Sequence, residues 1–74
     1  MKLIIGKQYK ITFDNGNSVI ATYSCNFKGT NYTCAKCRKQ RWHTYHFLVG
    51  NPENPSESYQ YGMECIKHIN IQEL

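Results

Sequence analysis

The chain has 74 residues, 41% hydrophobic and 14% aromatic, with nine Lys+Arg against five Asp+Glu and a net charge of +4. A chain of this length forms one domain, residues 1–74, whose small core needs a disulfide set or a structural metal. It is too apolar for a disordered chain and too short for a large cleft, and its Leu3-Ile4-Ile5 run is too short for a signal peptide or membrane span, so a cytoplasmic protein is expected.

Lys7 to Phe13 alternates, with Tyr9, Ile11 and Phe13 on one side and Lys10 and Thr12 on the other, which predicts a half-buried strand. Asn15-Gly16 supplies the positive φ angles of a two-residue hairpin turn, and Val19 to Tyr23 reads as the returning strand. Residues 1–27 therefore read as an N-terminal β-hairpin. Lys28-Gly29-Thr30-Asn31 reads as a turn, followed by a short strand over Tyr32–Cys34. Arg41 to Val49 is rich in aromatic and β-branched residues and predicts a further strand. Gly50 to Ser58, with Pro52 and Pro55, predicts an exposed loop, and Ser58 to Tyr61 a short strand pairing back. Gly62 reads as the start of a helix to about Gln72, with Glu64 suited to its dipole and Met63, Ile66 and Ile69 facing the core. The expected fold class is α+β: small zinc-stabilised β-hairpins with one C-terminal helix, residues 28–74 carrying the zinc knuckle, the second hairpin and the helix.

The cysteines are Cys25, Cys34, Cys37 and Cys65. Without a secretion signal the expected compartment is reducing, which disfavours disulfides. Cys34-Ala35-Lys36-Cys37 is a C-x2-C pair and Cys65-Ile66-Lys67-His68 a C-x2-H pair, the spacing pattern of a zinc site. A C-x2-C turn points both sulfurs at one spot, and residues three apart on a helix share a face. The expected ligands are Cys34, Cys37, Cys65 and His68 around a structural Zn2+ with no position left for water. His46 is the stronger rival to His68; His43 and Cys25 are the others. Cys25, in an alternating apolar stretch, reads better as a small buried hydrophobe.

Charge is uneven along the chain. Residues 1–33 carry +3, residues 34–47 carry +4 with no acid, and residues 48–74 carry −3. Lys36, Arg38, Lys39 and Arg41 beside Trp42 form the clearest candidate surface, because cations hold phosphates and an aromatic ring stacks on unpaired bases. The alternative for Trp42 is core packing, and for the cations plain solvation. Tyr59 and Tyr61 join Trp42 and Arg41 as candidate anchors for a protein partner. The acids are scattered and no nucleophile has an orienting third group, so no enzyme is expected.

The knuckle Cys34–Cys37 and the Gly62-Met63-Glu64-Cys65 start leading to His68 resemble a treble-clef zinc finger. The resemblance spans residues 34–68, about half the chain, and implies that a helix supplies the second ligand pair. The chain also resembles short zinc-binding proteins of phages, through the knuckle, the aromatic hairpin and the Tyr61-Gly62-x-x-Cys65 pattern. Seven Asn, seven Ile and seven Lys against two Ala fit the AT-rich genomes of such hosts. That group includes anti-CRISPR proteins. The resemblance implies a host protein as partner: a type II CRISPR effector nuclease in a bacterial cytoplasm, kept from loading target DNA. The alternative is a nucleic-acid-binding zinc module using residues 36–42. The N-terminal hairpin resembles part of an SH3-like or other small barrel.

Overall fold

A computed structural model describes residues 2–74 as one antiparallel sheet with a single short turn of 3-10 helix. The strands are β1 (Gln8–Thr12), β2 (Ser18–Thr33), β3 (Gln40–Asn51), β4 (Asn54–Gly62) and β5 (Asn70–Glu73), with the 3-10 helix at Cys65–His68. Their order across the sheet is β4-β3-β2-β1-β5. The first four strands form a meander, and the last returns to pair with the first. The N-terminal hairpin is therefore two strands of a small open roll.

The hairpin expected near the N-terminus is present, with Thr12 opposite Ser18. Its turn is one residue longer than the Asn-Gly pattern predicts. Phe13 N–H donates to Asn17 O at 2.7 Å around Asp14, Asn15 and Gly16, and Gly16 takes φ 90°. A three-residue loop with glycine in the left-handed region is the next commonest hairpin solution. The alternation of β1 places Tyr9 and Ile11 in the core, fully buried.

β2 is the long central strand. The Lys28–Asn31 turn expected from sequence is instead an irregularity within it, where the pairing with β3 shifts register between Lys28 and Tyr32. Gly29 there takes φ 94°, which a bulge accommodates without breaking the strand. β4 also starts earlier than expected, at Asn54, so the proline-rich loop shrinks to a tight hairpin closed by Asn51 opposite Asn54. Pro55 is tolerated because β4 lies at the sheet edge.

The α+β expectation is overturned, and with it the treble-clef-like architecture: the described residues contain no α-helix. The stretch from Gly62 to Gln72, expected as a helix, is the end of β4, the four-residue 3-10 helix and β5. Met63, Ile66 and Ile69 have helical spacing, but Ile69, Asn70, Ile71 and Gln72 alternate, and that period of two prevails. The edge of β1 supplies the reason. Its backbone groups need partners, and β5 provides them with Ile11 opposite Ile71. Met63, expected to face the core, is 46% exposed.

The core gathers Tyr9, Ile11, Ala21, Tyr23, Cys34, Phe47 and Tyr61. Phe47 sits at its centre, 5.4 Å from Tyr23, 6.1 Å from Tyr61 and 6.5 Å from Tyr9 between ring centroids. Cys34 belongs to this core, so the first knuckle cysteine is anchored in the fold and not on a free loop.

Candidate metal centre and the basic face beside it

The knuckle joins β2 to β3. Cys34 N–H donates to Lys39 O and Arg38 N–H to Cys34 O, both at 2.9 Å, which closes the turn around Cys37. To close it, Arg38 takes φ 64°, a left-handed conformation that a side chain disfavours. Ala35 N–H donates to Gln60 O at 2.7 Å and ties the knuckle to β4. β4 then leads within three residues to Cys65 at the start of the 3-10 helix.

These connections bring Cys34, Cys37 and Cys65 together, with all three sulfurs within 4.8 Å of one another. Tetrahedral zinc with Zn–S bonds of about 2.3 Å needs sulfurs about 3.8 Å apart, so small side-chain adjustments suffice. All four cysteines are free thiols. The three-cysteine part of the expected ligand set is thus assembled as a possible metal site.

The surroundings favour thiolate at Cys37, and two of the three sulfurs accept hydrogen bonds. Gly62 N–H donates to Cys34 Sγ at 3.3 Å. Arg41 Nη2 donates to Cys37 Sγ at 3.4 Å. A backbone hydrogen bond from Lys39 and the Arg41 guanidinium hold the Cys37 thiol down at about 6. The guanidinium is in turn stabilised in its charged form by Cys37. Cys65 is pushed the other way, up to about 11, by burial and then by the two neighbouring sulfurs. Three crowded sulfurs resist carrying three negative charges, and a divalent cation between them removes that conflict. The donor set fits a thiophilic ion such as Zn2+.

The fourth ligand is not assembled with them. His68 is exposed and lies outside the three-sulfur cluster. It does sit three residues after Cys65 in a 3-10 helix, where such residues eclipse. His46 is engaged elsewhere: it packs 4.6 Å from Tyr32, and its Nε2 shares a 2.9 Å hydrogen bond with Thr44 Oγ1. His43 stacks on Tyr45 at 5.2 Å, and its Nε2 is buried without a hydrogen-bond partner. Cys25 is half-buried on β2 opposite His46, outside the cluster.

The residues expected to meet a partner divide. Trp42 is 58% exposed, so it is a surface residue and not core packing. Arg38 and Lys39 are exposed on the knuckle. Lys36 lies 3.7 Å from Asp14, and Arg41 reaches back to Cys37, so both are partly engaged within the chain. Tyr61 is buried in the core, which corrects its reading as an anchor on the surface. Tyr59 is half-buried against Phe13 at 5.4 Å and donates its hydroxyl hydrogen to Glu57.

Two participants escaped the sequence reading. Phe27, 42% exposed, lies on the same face as Trp42, because it pairs with Thr44, two residues along β3. It was hidden by the expectation of a turn there, and by the register shift between Tyr23 and Cys25, which turns Cys25 and Phe27 away from the core face that Tyr23 takes. Gly62 was read as a helix start, yet it gives a backbone hydrogen to Cys34 and makes room for Arg41.

Comparison with protein-family models, curated proteins and solved structures gives no match. Among the described residues no helix is long and apolar enough to cross a membrane.

Proposed function

We propose that this chain is a non-enzymatic binding module stabilised by one structural Zn2+, with Cys34, Cys37, Cys65 and His68 as its ligands. The observation that carries the metal reading is the convergence of three sulfurs from two separate segments of the chain. A core of seven buried apolar and aromatic side chains is small for a 74-residue roll. A metal contributing roughly 10–16 kcal/mol decides whether such a domain folds. Elemental analysis and native mass spectrometry test this reading, with one zinc per chain expected. Folded, metal-free protein at neutral pH would sink it.

The binding role rests on the surface around the knuckle. Trp42 stands exposed beside Lys39, Arg38 and Arg41 in a segment that carries +4 and no acid. Such a surface suits a negatively charged macromolecule. The phage-inhibitor reading places an acidic patch of a host protein there, a type II CRISPR nuclease that would then fail to load target DNA. What supports that choice is the resemblance together with the basic charge. A DNA-loading assay on such a nuclease with purified zinc-loaded protein tests it, and unimpaired loading would remove it.

A further inference from the structure

The outer face of the β2–β3 hairpin carries two large exposed aromatic rings side by side. Phe27 faces Thr44 across the strands, and Trp42 is two residues before Thr44 on the same face. Diagonal neighbours across a strand pair stand about 7–8 Å apart, within reach of a single flat ligand chain. Tyr32 and His46, half-buried, pack on Phe27 at 5.8 and 5.5 Å. Gly29 approaches the Trp42 ring: a Cβ there would lie 3.9 Å from Trp42 Cζ2. The rings therefore rest on a formed platform.

Cations border this platform. Arg38 and Lys39 lead into β3 just before Trp42. Among the described residues neither of these two has a carboxylate partner; the ion pairs found there involve Lys7, Lys36 and Lys67. Lysine is depleted at the centre of protein–protein interfaces, whereas exposed rings interleaved with unpaired cations suit a strand of unpaired bases with its phosphates.

We propose that this face binds single-stranded nucleic acid, stacking bases on Trp42 and Phe27 while Arg38 and Lys39 hold the phosphates. The proposal rests on the binding-module reading and puts nucleic acid on this face in place of the host protein of the phage-inhibitor reading. Duplex bases are stacked on one another and cannot reach the rings, so the single strand is preferred.

Trp42 is the single tryptophan of the chain and reports its own contacts. The experiment titrates zinc-loaded protein with oligothymidylate, and separately with a duplex of equal length, following tryptophan emission at low and moderate salt. Quenching by the single strand is expected. The apparent affinity should fall with salt by about 0.7 logarithmic units per decade for each phosphate contact. Trp42→Ala should weaken binding roughly 5- to 150-fold, as loss of one stacked base implies, with the residual binding followed by anisotropy of a labelled strand. Arg38→Ala and Lys39→Ala should each reduce the salt slope by about one contact.

Circular dichroism and zinc content are measured on the same samples. Folded, zinc-loaded protein that neither quenches nor shifts anisotropy at low salt would overturn the nucleic-acid assignment alone and leave the face to a protein partner. Binding unaffected by Trp42→Ala would also overturn it. Protein that is unfolded or metal-free would instead refute the zinc-module reading beneath it.

Discussion

Arg41 and Gly62 compete for one space: a Cβ on Gly62 would stand 2.8 Å from Arg41 Cγ. Glycine at position 62 lets the Arg41 side chain cross the end of β4 and reach Cys37 Sγ. The same residue gives its N–H to Cys34 Sγ. One residue thus serves two of the three sulfurs, Cys37 by its missing side chain and Cys34 by its backbone.

Gly62→Ala is therefore expected to push Arg41 away from Cys37. Overpacking of this kind costs about 1–3 kcal/mol. Thermal unfolding of the zinc-loaded protein should shift down by several degrees, and competition with a chromophoric chelator should show weaker metal binding. Unchanged values in both would mean that Arg41 leaves freely and contributes nothing to the site.

Substituting Ser for Cys34, Cys37 or Cys65 should abolish stoichiometric zinc and unfold the chain, because the metal contribution of roughly 10–16 kcal/mol exceeds the marginal stability of a small domain. A strong chelator should do the same to the native chain. Cys25→Ser should keep both metal and fold. Amide NMR spectra distinguish these outcomes directly.

The histidines can be separated with cobalt. His68→Ala should move the visible bands of the Co2+-loaded protein and weaken its zinc affinity, while His46→Ala leaves the bands in place. His43 provides the sharp alternative. Its buried Nε2 has no partner, and if His43→Ala moves the bands while His68→Ala does not, the fourth ligand comes from β3.

Arg38 holds a left-handed φ of 64° at the knuckle. Arg38→Gly relieves that conformation, worth about 1–2 kcal/mol, against an unfolded-state entropy cost of about 0.4–1 kcal/mol. A net stabilisation of about 0.5–1 kcal/mol in denaturant titration is expected. The same variant should bind oligothymidylate less tightly, since it removes one cation from the platform.

Burial lowers the pKa of His46 below its usual value. The folded chain therefore resists protonating it more than the unfolded chain does. Its contribution to stability is full above the unfolded pKa of about 6.5 and is lost as the pH falls from there to the lower folded value. His46→Gln should flatten that part of the pH–stability profile. Native and variant profiles that run parallel between neutral and mildly acidic pH would contradict this.

Much of the candidate site was legible in the sequence because ligand chemistry is local. C-x2-C fixes two sulfurs by turn geometry alone, and Cys65 stood out because few other residue types complete a thiophilic site. Strands β1 and β3 were legible for a related reason: Tyr9, Ile11 and Phe13, and then Trp42 to Val49, carry their periodicity within seven or eight residues. Cys65 does lie with the two knuckle sulfurs, although the element expected to carry it is a 3-10 helix and not an α-helix.

The C-terminal segment could not be read in that way. Met63, Ile66 and Ile69 offer a helical face, while Ile69 and Ile71 offer a strand, and only the open edge of β1 chooses between them. The exposure of Trp42, the burial of Tyr61 and the space shared by Arg41 and Gly62 were decided in the same way, by which strand lies beside which. Sequence determined the chemistry that could be assembled, because residue types and short spacings set it. Tertiary structure determined which side chains face the core, the sulfurs or the outside, because pairing between distant strands sets the register.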